Sequence, residues 1–184
     1  MIYMELFTIV TDQNKLRNKC EEVALPLTNE DRTTLLKMIE YLKFSQDEEI
    51  AQKYNIRPGV GLAANQIGLN KRMLAIYIEN NDGSITKYGL VNPIITSYSV
   101  QESYISNGEG CLSVKEDVPG YVYRHARITV RAYDVIEDKI ITIKARGFLS
   151  IVLQHEIDHL NGLLYTDRIN KLNPFIEKED AIAI

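Results

Sequence analysis

The stretch from Gly147 to Asn161 constrains this 184-residue chain most, because it reads as a helix whose covered face includes two imidazoles. Phe148, Ile151, Val152, His155 and His159 recur at helical spacing, and Asn161-Gly162 is a plausible stop. Buried imidazoles without partners are costly, so this face calls for a metal or for core hydrogen bonds. Gln154-His-Glu-Ile-Asp-His159 contains His-Glu-x-x-His. Residues four apart stack on one helix face, so both rings can reach a single ion. Glu156 lies about 100° around the helix from His155, where it can flank the ion and act on a bound water. A metal of this kind needs a third protein ligand and an open position. No histidine follows His159, but Asp167 and Glu177 do, so a peptidase with a downstream acidic ligand stays open at this point. The remaining histidine, His125, precedes a strand and is expected to face solvent or a hydrogen-bond partner.

The rest of the chain must cover that helix. Thr28-Asn-Glu-Asp31 is an N-cap pattern, and Leu35, Met38, Ile39 and Leu42 carry a helix from about Asp31 into the 40s. Ser45-Gln-Asp-Glu48 can start a second helical segment. Met73 to Ile78 predicts a buried strand, and Asn81-Asp-Gly83 a turn into another around Tyr88–Val91. Ala126 to Tyr133 alternates apolar and polar residues, with Ile140 to Ala145 as its hairpin partner across Glu137-Asp138. The implied fold class is α+β, with mostly antiparallel sheets packed around a central helix that carries the metal-binding motif. One domain over residues 1–184 is expected.

Composition narrows the setting. Net charge is −4, and basic residues are scattered without the runs that advertise nucleic-acid binding. No apolar run approaches the ~20 residues of a membrane span, and Met1 to Leu6 shows no signal-peptide pattern. Two cysteines are too few for a disulfide scaffold, so a cytoplasmic location is expected. Cys20, among charged neighbours, is read as a thiol without function.

Three segments, Gly59-Val-Gly-Leu-Ala-Ala-Asn-Gln66, Glu109-Gly-Cys-Leu-Ser113 and His155-Glu-Ile-Asp-His159, resemble in order the three signature motifs of peptide deformylases. The resemblance spans nearly the whole chain. It implies hydrolysis of the N-terminal formyl group of formyl-methionyl nascent peptides, with release of formate. It also implies Cys111, His155 and His159 as metal ligands, a metal-bound water as nucleophile and Glu156 as general acid and base. The Gln66 amide and the Leu112 N–H are the implied donors to the developing oxyanion. Iron(II) is the implied native metal, although this ligand set also suits zinc, nickel or cobalt. A peptide lying extended beside Val60-Gly61 and Glu109-Gly110 is expected, with Phe148 and Ile151 near the methionine side chain. The roomy interval between Gln66 and Glu109, Val118-Pro-Gly-Tyr121 and the short apolar tail place the chain nearer the second bacterial type. Work near the ribosome and a monomeric state go with the family; neither a membrane nor a specific nucleic acid is expected as a partner. Asp158, turned away from the metal, is expected to pair with Arg124 and tie the cysteine segment to the histidine helix.

Overall fold

A computed structural model describes residues 6–184; residues 1–5, part of the stretch read as lacking a signal peptide, lie outside them. Helix α1 (Asn29–Ser45) starts where the cap pattern puts it: Thr28 Oγ1 accepts the Asp31 N–H at 3.1 Å and donates to the Asp31 carboxylate at 2.9 Å. The short α2 (Glu48–Tyr54) follows, with the Asp47 carboxylate accepting the Ile50 N–H.

Seven strands come next: β1 (Gly61–Ala63), β2 (Met73–Glu79), β3 (Ile85–Tyr98), β4 (Glu102–Tyr104), β5 (Arg124–His125), β6 (Arg127–Asp134) and β7 (Lys139–Arg146). Helix α3 (Phe148–Leu160) and a terminal β8 (Ile182–Ala183) complete the order. Five strands form an antiparallel sheet in the order β1-β2-β3-β6-β7, and a smaller sheet runs β5-β4-β8. The apolar tail supplies the one parallel pairing between named strands among the described residues, β8 on β4.

The expected strand around Tyr88–Val91 is longer than its apolar core suggests, because it continues through Pro93. The ladder with β6 shifts between Val91 and Ile94, where Asn92 takes a positive φ of 50°. The Asn92 side chain there bonds both the N–H and the carbonyl of Val23, at 2.9 and 2.8 Å. A bulge is the place where a sheet can accept a residue without an N–H.

Strand β2 explains why its sequence is apolar without alternation. Leu74, Ile76 and Ile78 pack towards α3, while Met73, Ala75 and Tyr77 pack towards Leu35, Met38 and Leu42 of α1. Both faces of this part of the sheet are covered, and α3 is buried continuously from Ser150 to Leu160. The helix ends in a left-handed turn: Gly162 (φ 77°) donates to His159 O and Leu163 to Asp158 O. A Cβ at Gly162 would lie 2.3 Å from the Arg17 carbonyl, so this position needs glycine twice over.

Candidate metal centre

The two α3 histidines bring their Nε2 atoms to 3.2 Å of each other. Cys111, in the loop between β4 and β5, sets its Sγ 3.2 Å from His159 Nε2. All three donor atoms lie within 4.8 Å of one another. One sulfur and two imidazole nitrogens converging on a point are a fitting donor set for zinc, iron, cobalt or nickel. The second nitrogen of His155 supports that use, because Nδ1 lies 2.8 Å from Glu109 Oε2 and leaves Nε2 facing the cluster. Burial alone would lower the His155 pKa, but the Cys111 sulfur and the Glu109 carboxylate push it up to about 10. His159 is driven the other way, by burial first and then by its positive neighbours.

Behind the histidines lies a chain of buried charge. Arg124 grips Glu109 with Nε at 2.6 Å and Nη2 at 2.9 Å, and reaches Asp158 with Nη1 at 2.8 Å. The outer side of Asp158 is held by Arg168 through two bonds of 2.5 and 2.6 Å. Glu109, expected beside the binding groove, lines the cleft described below, while its carboxylate is committed to its neighbours. Both its oxygens are taken by Arg124 and His155, and the residue is 6 % exposed. Burial would raise its pKa, but the Arg124 and His155 bonds outweigh that and hold it at about 2.

On the opposite side of the histidines a cleft of about 370 Å³ opens, walled by Val60, Gly61, Gly110, Leu112, Phe148 and Ile151. Gln66, Cys111, His155 and Glu156 also line it. Glu156 is 4 % exposed, and its Oε2 has no hydrogen-bond partner. Burial pushes its carboxyl up to about 7, against the lowering effect of His155 and Arg124. Gly61 owes its identity to this carboxylate, because a Cβ there would stand 2.3 Å from Glu156 Oε1. Gln66 Oε1 accepts the Ala63 N–H at 2.8 Å, which turns Nε2 towards Ser113 Oγ (3.1 Å) and Cys111 Sγ (3.6 Å). The Leu112 N–H takes no protein acceptor among the described residues.

Sequence reasoning passed over several supports. Arg57 donates to the carbonyls of Cys111 (3.3 Å) and Val114 (2.7 Å), and so fixes the cysteine loop. Asn65 Nδ2 holds the His159 carbonyl at 2.7 Å. Asn65 and Ser113 stand inside the motif segments, which was a usable signal; Arg168 carries no local mark at all. Cys20 is buried in the core under the sheet, and burial raises its thiol pKa. His125 has a hydrogen-bond partner, the Ser99 carbonyl, 2.8 Å from Nδ1.

Residues 6–175 match the family model described as polypeptide deformylase. A protein of Bacillus subtilis (strain 168) named peptide deformylase 2 is 52% identical over 185 residues, covering 100% of this chain and 99% of that protein. A Bacillus cereus protein of the same name is 51% identical over 166 residues, 90% of each. Among solved structures, a peptide deformylase from Legionella pneumophila superposes with a TM-score of 0.71 at 32% identity, covering 91% of this chain and 88% of that one.

Proposed function

The chain belongs to the polypeptide deformylase family, and on that premise we propose that it hydrolyses the N-terminal formamide of formyl-methionyl peptides in a reaction that depends on a divalent metal. The observation that carries the proposal is Glu156: a buried, unpartnered carboxylate, poised at about 7, on the cleft side of the Cys111, His155 and His159 donors. A catalytic base needs a pKa near the working pH and an unoccupied lone pair, and Glu156 has both.

When held by Cys111, His155 and His159, a divalent cation supplies Lewis acidity, lowering the pKa of water and polarising a carbonyl. Glu156 takes the proton from the attacking water and returns it to the departing amine. The Gln66 Nε2 and the Leu112 N–H donate to the carbonyl oxygen as it gains charge. The Glu109 carboxylate acts at a distance from the substrate, holding His155 in the tautomer that ligates through Nε2. The peptide lies along Val60-Gly61 and the backbone of Glu109-Gly110, where β1 is an edge strand of its sheet and can accept another. Phe148 and Ile151 cover the methionine side chain. Iron(II) is proposed as the native metal, with zinc, nickel and cobalt as possible substitutes. The enzyme is proposed to work as a one-domain monomer in the cytoplasm, near the ribosome. Among the described residues no helix is long and apolar enough to cross a membrane.

Anaerobically purified protein should release formate from formyl-Met-Ala-Ser in proportion to its bound metal and stop after chelation. Formate release that ignores metal content would sink the proposal. Retention of metal by a Cys111→Ala variant would point instead to a peptidase-like site with an acidic third ligand.

A further inference from the structure

Strand β1 leaves its ladder with β2 one bond early. Gly61 pairs with Ile76, Leu62 with Ala75 and Ala63 with Leu74, so the same register sets Val60 opposite Tyr77. Val60 O accepts the Tyr77 N–H at 2.9 Å, which is half of an antiparallel rung. The return bond is missing. Tyr77 O accepts Nε2 of Gln46 at 3.0 Å instead, and the Val60 N–H takes no acceptor among the described residues. Gln46 follows the last residue of α1, and the same nitrogen donates to Gly59 O at 2.8 Å. Both hydrogens of this amide are thus engaged by carbonyls from the two sides of the missing bond. Its side chain bonds no group of α1, so capping of that helix does not account for it. Ser45, beside it, accepts the Gly59 N–H at 3.0 Å, and the end of α1 thereby holds both backbone groups of Gly59.

A trans peptide unit is planar, and its C=O and N–H point in opposite directions. Gly59 O and the Val60 N–H belong to one such unit, and Gln46 draws the carbonyl to the side of Tyr77 O. The N–H is therefore turned away from β2, onto the open edge of β1, where Gly59, Val60 and Gly61 line the cleft. Without the Gln46 amide, Gly59 O and Tyr77 O would meet with no proton between them. Rotation of the unit would then return the Val60 N–H to Tyr77 O and complete an ordinary rung. A peptide that adds as a strand needs donors on this edge as well as acceptors. We infer that Gln46 is a positioning residue for the substrate: by occupying Tyr77 O it keeps the Val60 N–H free to donate to a backbone carbonyl of the formyl peptide. The inference rests on the deformylase reading.

Gln46→Met nearly preserves the side-chain volume and removes the donors. With formyl-Met-Ala-Ser its KM should rise roughly two- to tenfold at an unchanged kcat, as expected for one lost hydrogen bond shared by ground and transition states. N-formyl-3-(methylthio)propylamine keeps the formamide and the methionine side chain but has no backbone carbonyl. With it, the variant's KM should match the parent's. Amide hydrogen exchange followed by NMR reads the same arrangement without turnover. In the parent the Val60 amide should exchange faster than the Leu62 amide, which pairs with β2, and in Gln46→Met it should slow towards it. An equal rise in KM for both substrates, a parental KM for the peptide, or a Val60 amide already protected in the parent would each overturn the inference. A parent that releases no formate from formyl-Met-Ala-Ser would overturn the deformylase reading instead, with the exchange rates still deciding what Gln46 does to the ladder.

Discussion

Glu109 and Glu156 flank His155 and are both buried, yet they are built in opposite ways. On the inner side of the histidines, every oxygen of Glu109 meets a donor and the carboxyl sits at about 2. On the cleft side, Glu156 keeps one oxygen without a partner and sits at about 7. The same side chain is thus a fixed anion in one place and, in the other, suited to the proton-carrying role proposed for it. Pairing, and not burial, separates the two roles, because burial raises both. The inner region is committed to holding geometry, and the cleft region leaves a group free to react.

Four substitutions and a pH series can break or sharpen that contrast. Glu156→Ala should lower turnover by roughly 10²–10⁴ while metal content and thermal midpoint hold, since the role proposed for it is to move protons and its Oε2 supports no neighbour. Metal loss in that variant, read by elemental analysis, would erase the distinction between the two glutamates. Gln66→Ala should reduce kcat by roughly 10²–10³ with a smaller change in KM, as expected for a donor aimed at developing charge. A change confined to KM would reassign Gln66 to binding.

Glu109→Gln should act on geometry instead of chemistry. Metal affinity is expected to drop roughly 10–100-fold, and stability by up to about 3–5 kcal/mol, because Arg124 loses one of its two carboxylate partners in a buried site and keeps only Asp158. Chelator competition and urea titration measure the two separately; unchanged metal affinity would detach Glu109 from His155.

The pH series should separate the glutamates by sign in metal-stripped protein. Glu109 falls from an ordinary 4.5 to about 2 on folding, so its contribution is complete above 4.5 and is lost as pH falls towards 2. Glu156 rises from 4.5 to about 7, so its contribution favours the fold at low pH and is lost as pH rises through that window. The stability gap between parent and Glu109→Gln should therefore close below 4.5. The advantage of Glu156→Gln over the parent should grow between 4.5 and 7. Parallel curves for both variants would contradict the assigned pairing. The smallest effect belongs to the surface: Arg17→Met, which breaks a half-exposed pair with Asp167, should cost under about 1 kcal/mol in the same urea titration.

What could be read without coordinates was local or motif-borne. The capped start of α1, the hairpin of β6 and β7, the stop of α3 and the stacking of His155 over His159 depend on residues a few positions apart. Helix and strand periods express such relations directly. Arg124 and Asp158 stand 2.8 Å apart as the order of segments suggested, because the strand after the cysteine loop has to pass the histidine helix. The commitment of the Glu109 carboxylate was not legible, because only packing reveals that Arg124 and His155 consume both its oxygens.

By itself the sequence determined the helix, the two imidazole donors that it presents and the carboxylate between them, since one turn of backbone sets their spacing. Tertiary structure alone decided which carboxylate stays unpaired, why Gly61 must lack a side chain, and that Arg168 closes the charge chain through Asp158. It also gathered Arg127, Arg131, Lys144 and Arg146, which no search for basic runs detects, onto one face. The physical reason is common to all of these. Pairing and repulsion act over a few ångströms between segments distant in the chain, and only the register of β6 on β7 and the packing of α3 bring those segments together.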